Sequence, residues 1–203
     1  MITYFFILHY KPNSMKKKST LLLLFLCSIH FSQAQFYKSI LPSDAFSDSV
    51  SIIVQDFKKN FSTIEGRQLP SQGEMDVYHS KVTIPGAVHC AIYRFHSLED
   101  TTASWQAIMY EGDSYENAVK IYKNTFHQLK KSKMKWGDKG TISFIGELEM
   151  PVENVRFTVT PLRLNNMDLP YRSFFGEIEL TSAYDGWVVH LNLHNRKNDA
   201  EKY

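Results

Sequence analysis

Hydrophobic and polar positions recur along this chain with two different periods, and the switches between them mark out its elements. Across 43–60, Phe46, Val50, Ile53, Val54 and Phe57 follow one another every three or four residues, which gathers apolar side chains on one face of a helix. Ser43 or Asp44 supplies the N-cap. A longer stripe, Tyr115, Ala118, Val119, Tyr122, Phe126 and Leu129, opens at Asp113, with Glu116 at capping-box spacing. Lys130, Lys131 and Lys133 end it, complementing the negative pole of the helix dipole.

Between and after these stripes the period falls to two, as expected of strands. The runs are 75–84, 87–96 and 103–110, then 141–150, 154–164, 174–182 and 187–194. Residues 61–71, with Gly66 and Pro70, read as a loop or short edge strand. Turn dipeptides Pro85-Gly86 and Asp185-Gly186 join neighbouring runs, and strands linked this closely must be antiparallel. The late runs are two-faced. Ile142, Phe144, Leu148 and Met150 oppose Ser143, Glu147 and Glu149, while Trp187, Val189, Leu191 and Leu193 oppose His190, Asn192 and His194. The expected fold is α+β: a two-layer sandwich of mainly antiparallel sheet with two amphipathic helices on one face, in the order α-βββ-α-ββββ.

The N-terminus changes the picture. Lys16-Lys17-Lys18 precede an apolar run at 20–31, and Ser32-Gln33-Ala34 form a small-residue cleavage site. That order is a secretory signal peptide of bacterial type. The run is well short of the roughly 20 residues that span a bilayer. The expected organisation is an extension and cleaved signal at 1–34, starting at Met15, and a lead-in at 35–42. A single domain at 43–194 and a polar tail at 195–203 follow. The product would be exported, to the periplasm or outside the cell, with no transmembrane segment. Cys27 leaves with the signal, so Cys90 is the only mature cysteine and no intrachain disulfide is expected. Four of the 23 basic residues lie before the cleavage site and none of the 21 acids do, leaving 19 against 21. A net acidic chain speaks against nucleic acid, despite the cluster Lys130, Lys131, Lys133, Lys135 and Lys139.

Candidate chemistry concentrates on the polar face of the last two strands. A two-residue Asp185-Gly186 turn would set Glu177 opposite His194, Glu179 opposite Asn192 and Thr181 opposite His190. Opposed side chains lie within hydrogen-bonding reach, so Glu177 and His194 could form a general-base or metal-assisted pair. His190 and His194 are roughly 13 Å apart along a strand, too far to chelate one ion. No metal or other cofactor is expected. Glu149 would face Arg156, and Glu147 would face Thr158, as surface pairs. His89 cannot activate Cys90, because adjacent strand residues point to opposite faces, and Cys90 reads as a small core residue. Trp136, Tyr171 and Trp187 fall near turns; Trp187 reads as a core anchor. The expected function is an exported, non-catalytic module that binds a small ligand or another envelope protein. Its contact surface would be His190, Asn192, Glu179, Trp136 and Tyr171. The alternative is a small exported hydrolase using Glu177 and His194, with or without the assistance of a metal.

Overall fold

Ser43, in extended backbone, accepts a hydrogen bond from the Phe46 amide at 3.1 Å and starts helix α1, Asp44–Asp56. The computed structural model describes residues 42–71, 73–96, 101–137, 140–165 and 169–195. The signal, its cleavage site, the lead-in up to residue 41, Lys139 and the tail beyond Asn195 lie outside the described residues. Phe46, Val50, Ile53 and Val54 of α1 are buried, as their spacing requires. A 3-10 turn, Phe57–Lys59, leads to Asn60 in left-handed backbone, a conformation asparagine tolerates. The Asn60 side chain ties this corner down, donating to the Thr101 carbonyl at 2.8 Å and accepting from the Ala103 amide at 2.7 Å. Buried Asp56 is satisfied by the Thr63 hydroxyl and the Thr63 and Ile64 amides.

Four strands follow: β1 (Glu65–Gln68), β2 (Met75–Ser80), β3 (His89–Phe95) and β4 (Ala103–Gly112). Helix α2, Tyr115–Lys131, is capped by Ser114 rather than Asp113, the Ser114 hydroxyl accepting from the Asn117 amide at 3.2 Å. Three short strands come next, β5 (Met134–Lys135), β6 (Thr141–Ile142) and β7 (Phe144–Ile145). The chain ends in β8 (Phe157–Leu164), a 3-10 turn (Leu169–Tyr171), β9 (Phe174–Ala183) and β10 (Gly186–Asn195). Eight strands form one antiparallel sheet in the order β1-β2-β3-β4-β10-β9-β8-β7. Each half is therefore a helix followed by an antiparallel meander, and the last strands of the two halves pair at the centre. The first meander has four strands rather than three, because 65–68 pairs with β2.

The strand expected at 141–150 is broken. Thr141-Ile142 pairs with Met134-Lys135 in a separate two-stranded sheet, and only Phe144-Ile145 joins the main sheet, opposite Leu164 and Arg163. Gly146 lies so close to β8 that a Cβ there would stand 2.6 Å from the Pro161 carbonyl oxygen. Pro161 has no N–H to hold a neighbouring strand. The following segment leaves the ladder, and the Glu149 amide bonds the Thr160 hydroxyl at 3.0 Å instead. The expected Glu149–Arg156 and Glu147–Thr158 pairs consequently do not form; the run starting at 154 becomes strand only at Phe157.

Alternation along the central strands sends Trp105, Ala107, Ile178, Leu180, Leu191 and Leu193 into one hydrophobic cluster with the buried residues of both helices. Cys90 belongs to that cluster too. Trp105 is fully buried, with its indole N–H donating to the Ser80 hydroxyl at 2.9 Å. Tyr122 and Thr160 share a buried hydroxyl pair at 2.5 Å between helix and sheet. Truncating the indole leaves a void in the core and removes its bond to Ser80, whose hydroxyl keeps its two bonds with Val82. Trp105→Ala should cost about 3–5 kcal/mol in urea unfolding, against under about 1 kcal/mol for the exposed Val88→Ala.

Candidate functional site

The hairpin that builds the polar face turns one residue earlier than its Asp-Gly dipeptide places it. Ala183 pairs with Gly186, so Tyr184 and Asp185 form the turn and Gly186 begins β10. Gly186 sits at φ +146, and a Cβ there would collide with the carbonyl of Gly112 on β4. Glycine is needed for that close crossing of strands, not inside the turn. The expected register is thus corrected: Glu177 opposes Asn192, Glu179 opposes His190, Thr181 opposes Val188, and His194 opposes Phe175. A shift by an even number keeps every side chain on its face.

Glu177 and His194 become diagonal neighbours, and they still meet. His194 Nε2 stands 3.1 Å from Glu177 Oε2, close enough for an ion pair though off the line of a good hydrogen bond. The Glu177 carboxylate raises the pKa of His194 above the ordinary histidine value. Burial opposes the rise and loses, while a backbone bond with Asn195 assists it. His190 goes the other way. Burial lowers its pKa, outweighing the attraction of Glu179 and Glu111, and its Nδ1 has no hydrogen-bond partner among the described residues. One imidazole on this face is thus held towards the charged form and its neighbour towards the neutral one.

Strand β4 extends the face. Gln106 lies opposite Asn192 and donates to its side-chain oxygen at 2.7 Å, while Ser104 lies opposite His194. Neither residue stood out in the sequence, although the alternation of 103–110 placed both on the face opposite Trp105 and Ala107. Ser104, His194 and Glu177 succeed one another across three strands, the order of a nucleophile, a base and its orienting acid. The imidazole, however, is already engaged by Glu177 and the Asn195 backbone. Further out, His89 and His79 stack edge to face at 5.3 Å. No group of three His, Cys, Asp or Glu side chains among the described residues is placed to hold a metal ion.

The aromatic residues grouped with this face lie elsewhere. Trp136 and Tyr171 meet edge to face at 4.8 Å, and Tyr171 is 2 % exposed within the core cluster on the opposite side of the sheet. Lys58 Nζ caps both rings, 4.7 Å from Tyr171 and 5.5 Å from Trp136. Tyr171 therefore anchors the core. Trp187, half-buried, packs its ring 4.8 Å from Tyr115 at the start of α2. Cys90 is buried, and desolvation pushes its thiol above the usual value, against a backbone bond with Ile84. Comparison with protein-family models, curated proteins and solved structures returned no match.

The opposite shifts have opposite consequences for stability. The His194–Glu177 pair stabilises the fold fully below the unfolded histidine value near 6.5 and loses that contribution as pH rises through the higher folded value. His190 costs stability as pH falls from about 6.5 towards its lower folded value. Imidazole NMR titration should give His194 a midpoint above 6.5 and His190 one below it. Glu177→Gln should bring the His194 midpoint down and leave that of His190 nearly unchanged. Equal midpoints in the unaltered protein would contradict the geometry.

Proposed function

We propose that the chain is an exported, non-catalytic binding module of a bacterial cell envelope. Its contact surface is the face of β4, β9 and β10 that carries His190, Asn192, Glu179 and Gln106. The helices form the second layer of a two-layer sandwich and leave that face to a partner. One observation carries the reading: the face interleaves half-buried Ile108, Phe175 and Val188 with half-buried His, Asn, Gln and Glu side chains. Mixed apolar and hydrogen-bonding surface of this kind suits contact with another protein. The leader residues Lys16-Lys17-Lys18 and the apolar run after them support export.

A second reading, a small exported hydrolase, is favoured by the 3.1 Å Glu177–His194 contact. In it, His194 would exchange protons with substrate while Glu177 holds the ring, as general acid–base pairs do.

The two readings separate experimentally. A photo-crosslinking residue at Val188, introduced in the native host, should trap a discrete adduct, and one at exposed Lys120 on α2 should not. Equal adducts from both positions, or none from Val188, would contradict the binding reading. Turnover on ester, peptide or glycoside panels that Glu177→Gln and His194→Ala both abolish would establish the hydrolase instead.

A further inference from the structure

The far edge of the sheet carries a second feature, separate from the polar face. Nine large apolar side chains stand exposed among the described residues, and five of them, Ile145, Met150, Val152, Val155 and Phe157, fall within 145–157. They line two adjoining grooves of about 770 and 410 Å³ that share Glu149 and Pro161. A patch so concentrated marks a contact surface.

The backbone beneath the patch is unfinished. The Asn165 amide donates to the Ser143 carbonyl at 3.0 Å on the outward side of β8, whereas the Arg156 carbonyl accepts from Ser182 at 2.8 Å on the β9 side. Backbone polar groups alternate sides along a strand, so odd-numbered residues of β8 point outward. Arg163 is paired by Ile145, and Gly146 covers the carbonyl of Pro161. Phe157 and Val159 remain, and their outward N–H and C=O groups have no partner among the described residues. An apolar edge of this kind is a template for another strand.

We infer that the β8 edge pairs with the same edge of a second copy of this chain, antiparallel, about a two-fold axis through Thr158. Phe157 of each copy then exchanges both backbone bonds with Val159 of the other, and all four outward groups of each strand are satisfied. Odd residues oppose odd residues, so the two sheets continue with the same face on the same side. The charges complete the fit. The axis brings Arg156 of one copy level with Thr160 of the other, and Glu149 is tied beside Thr160 through its amide. Arg156 and Glu149 are both exposed, and the symmetry forms this opposite-charge contact twice, as an isologous interface requires. An unrelated apolar strand would gain the backbone bonds without the reciprocal charges. Pro161 and Gly146 stop the pairing from running further, which keeps the seam short.

Sedimentation equilibrium of the full chain, as purified from its host, tests this directly. The unaltered protein should be a dimer in equilibrium with monomer. Phe157→Lys, at a position 54 % exposed, should raise the dissociation constant at least about tenfold with unchanged circular dichroism. Arg156→Glu and Glu149→Arg should each weaken the dimer, and the double charge swap should restore it. That recovery stands even if Phe157→Lys fails to fold. A monomer at every concentration would overturn the inference. So would a dimer indifferent to Phe157→Lys, or a charge swap that restores nothing.

Discussion

The pairing of β4 with β10 is the contact on which the sheet depends, because among the described residues it is the strand pairing that joins one meander to the other. Two helix-and-meander halves each end in a long strand, and those strands run antiparallel down the middle. At one end Gly186 passes Gly112 so closely that a Cβ on Gly186 would stand 2.4 Å from the Gly112 carbonyl oxygen. Part-way along, a bulge between Val189 and His190 absorbs one extra residue on β4. Beyond it Leu191 and Leu193 oppose Ala107 and Trp105 in the core. A one-residue slip would turn those leucines out and bring Asn192 and His194 in, so the core enforces the register as firmly as the glycines do. Helix α2 packs over β4, β9 and β10 and fastens the seam from the core side.

The same seam makes the polar face. Ser104 and Gln106 come from the first half, and His190, Asn192 and His194 come from the second. Glu177 and Glu179 stand on the next strand over. No single hairpin assembles the set. The opposite displacement of the two histidines follows from place as well: His194 has a carboxylate against its ring, whereas burial dominates at His190. A face of half-buried, differently titrating groups among apolar neighbours is consistent with recognition of a partner. Chemistry there would require a substrate to compete for the imidazole that Glu177 already holds.

Much of this was legible in the residue pattern. Both helices announced themselves through apolar stripes at three- and four-residue spacing, although the second is capped by Ser114 and not by Asp113, and β9 and β10 through strict alternation, because local periodicity and local burial agree there. What failed was non-local. Asp185-Gly186 has the chemistry of a turn, yet Gly186 is placed by Gly112, more than seventy positions away in the chain. Alternation over 141–150 looks like a strand, but its intended neighbour carries Pro161, and the ladder cannot be continued past it. Glu177 and His194 were found with the wrong register because an even shift preserves the face and the reach of both side chains covers a diagonal. Trp136 and Tyr171 fall near turns, which suggests a contact surface, but nothing local shows that the two rings meet beneath Lys58 and that Tyr171 is buried.

Amide hydrogen exchange by NMR tests the central seam most directly. If β4–β10 pairing holds the halves together, the amides of Ala107, Leu191 and Leu193 should be among the slowest in the chain and should open only with global unfolding. They should lose protection together, on both strands at once. Early, independent exchange of β4 and β10, while β2–β3 or β8–β9 stays protected, would contradict the account.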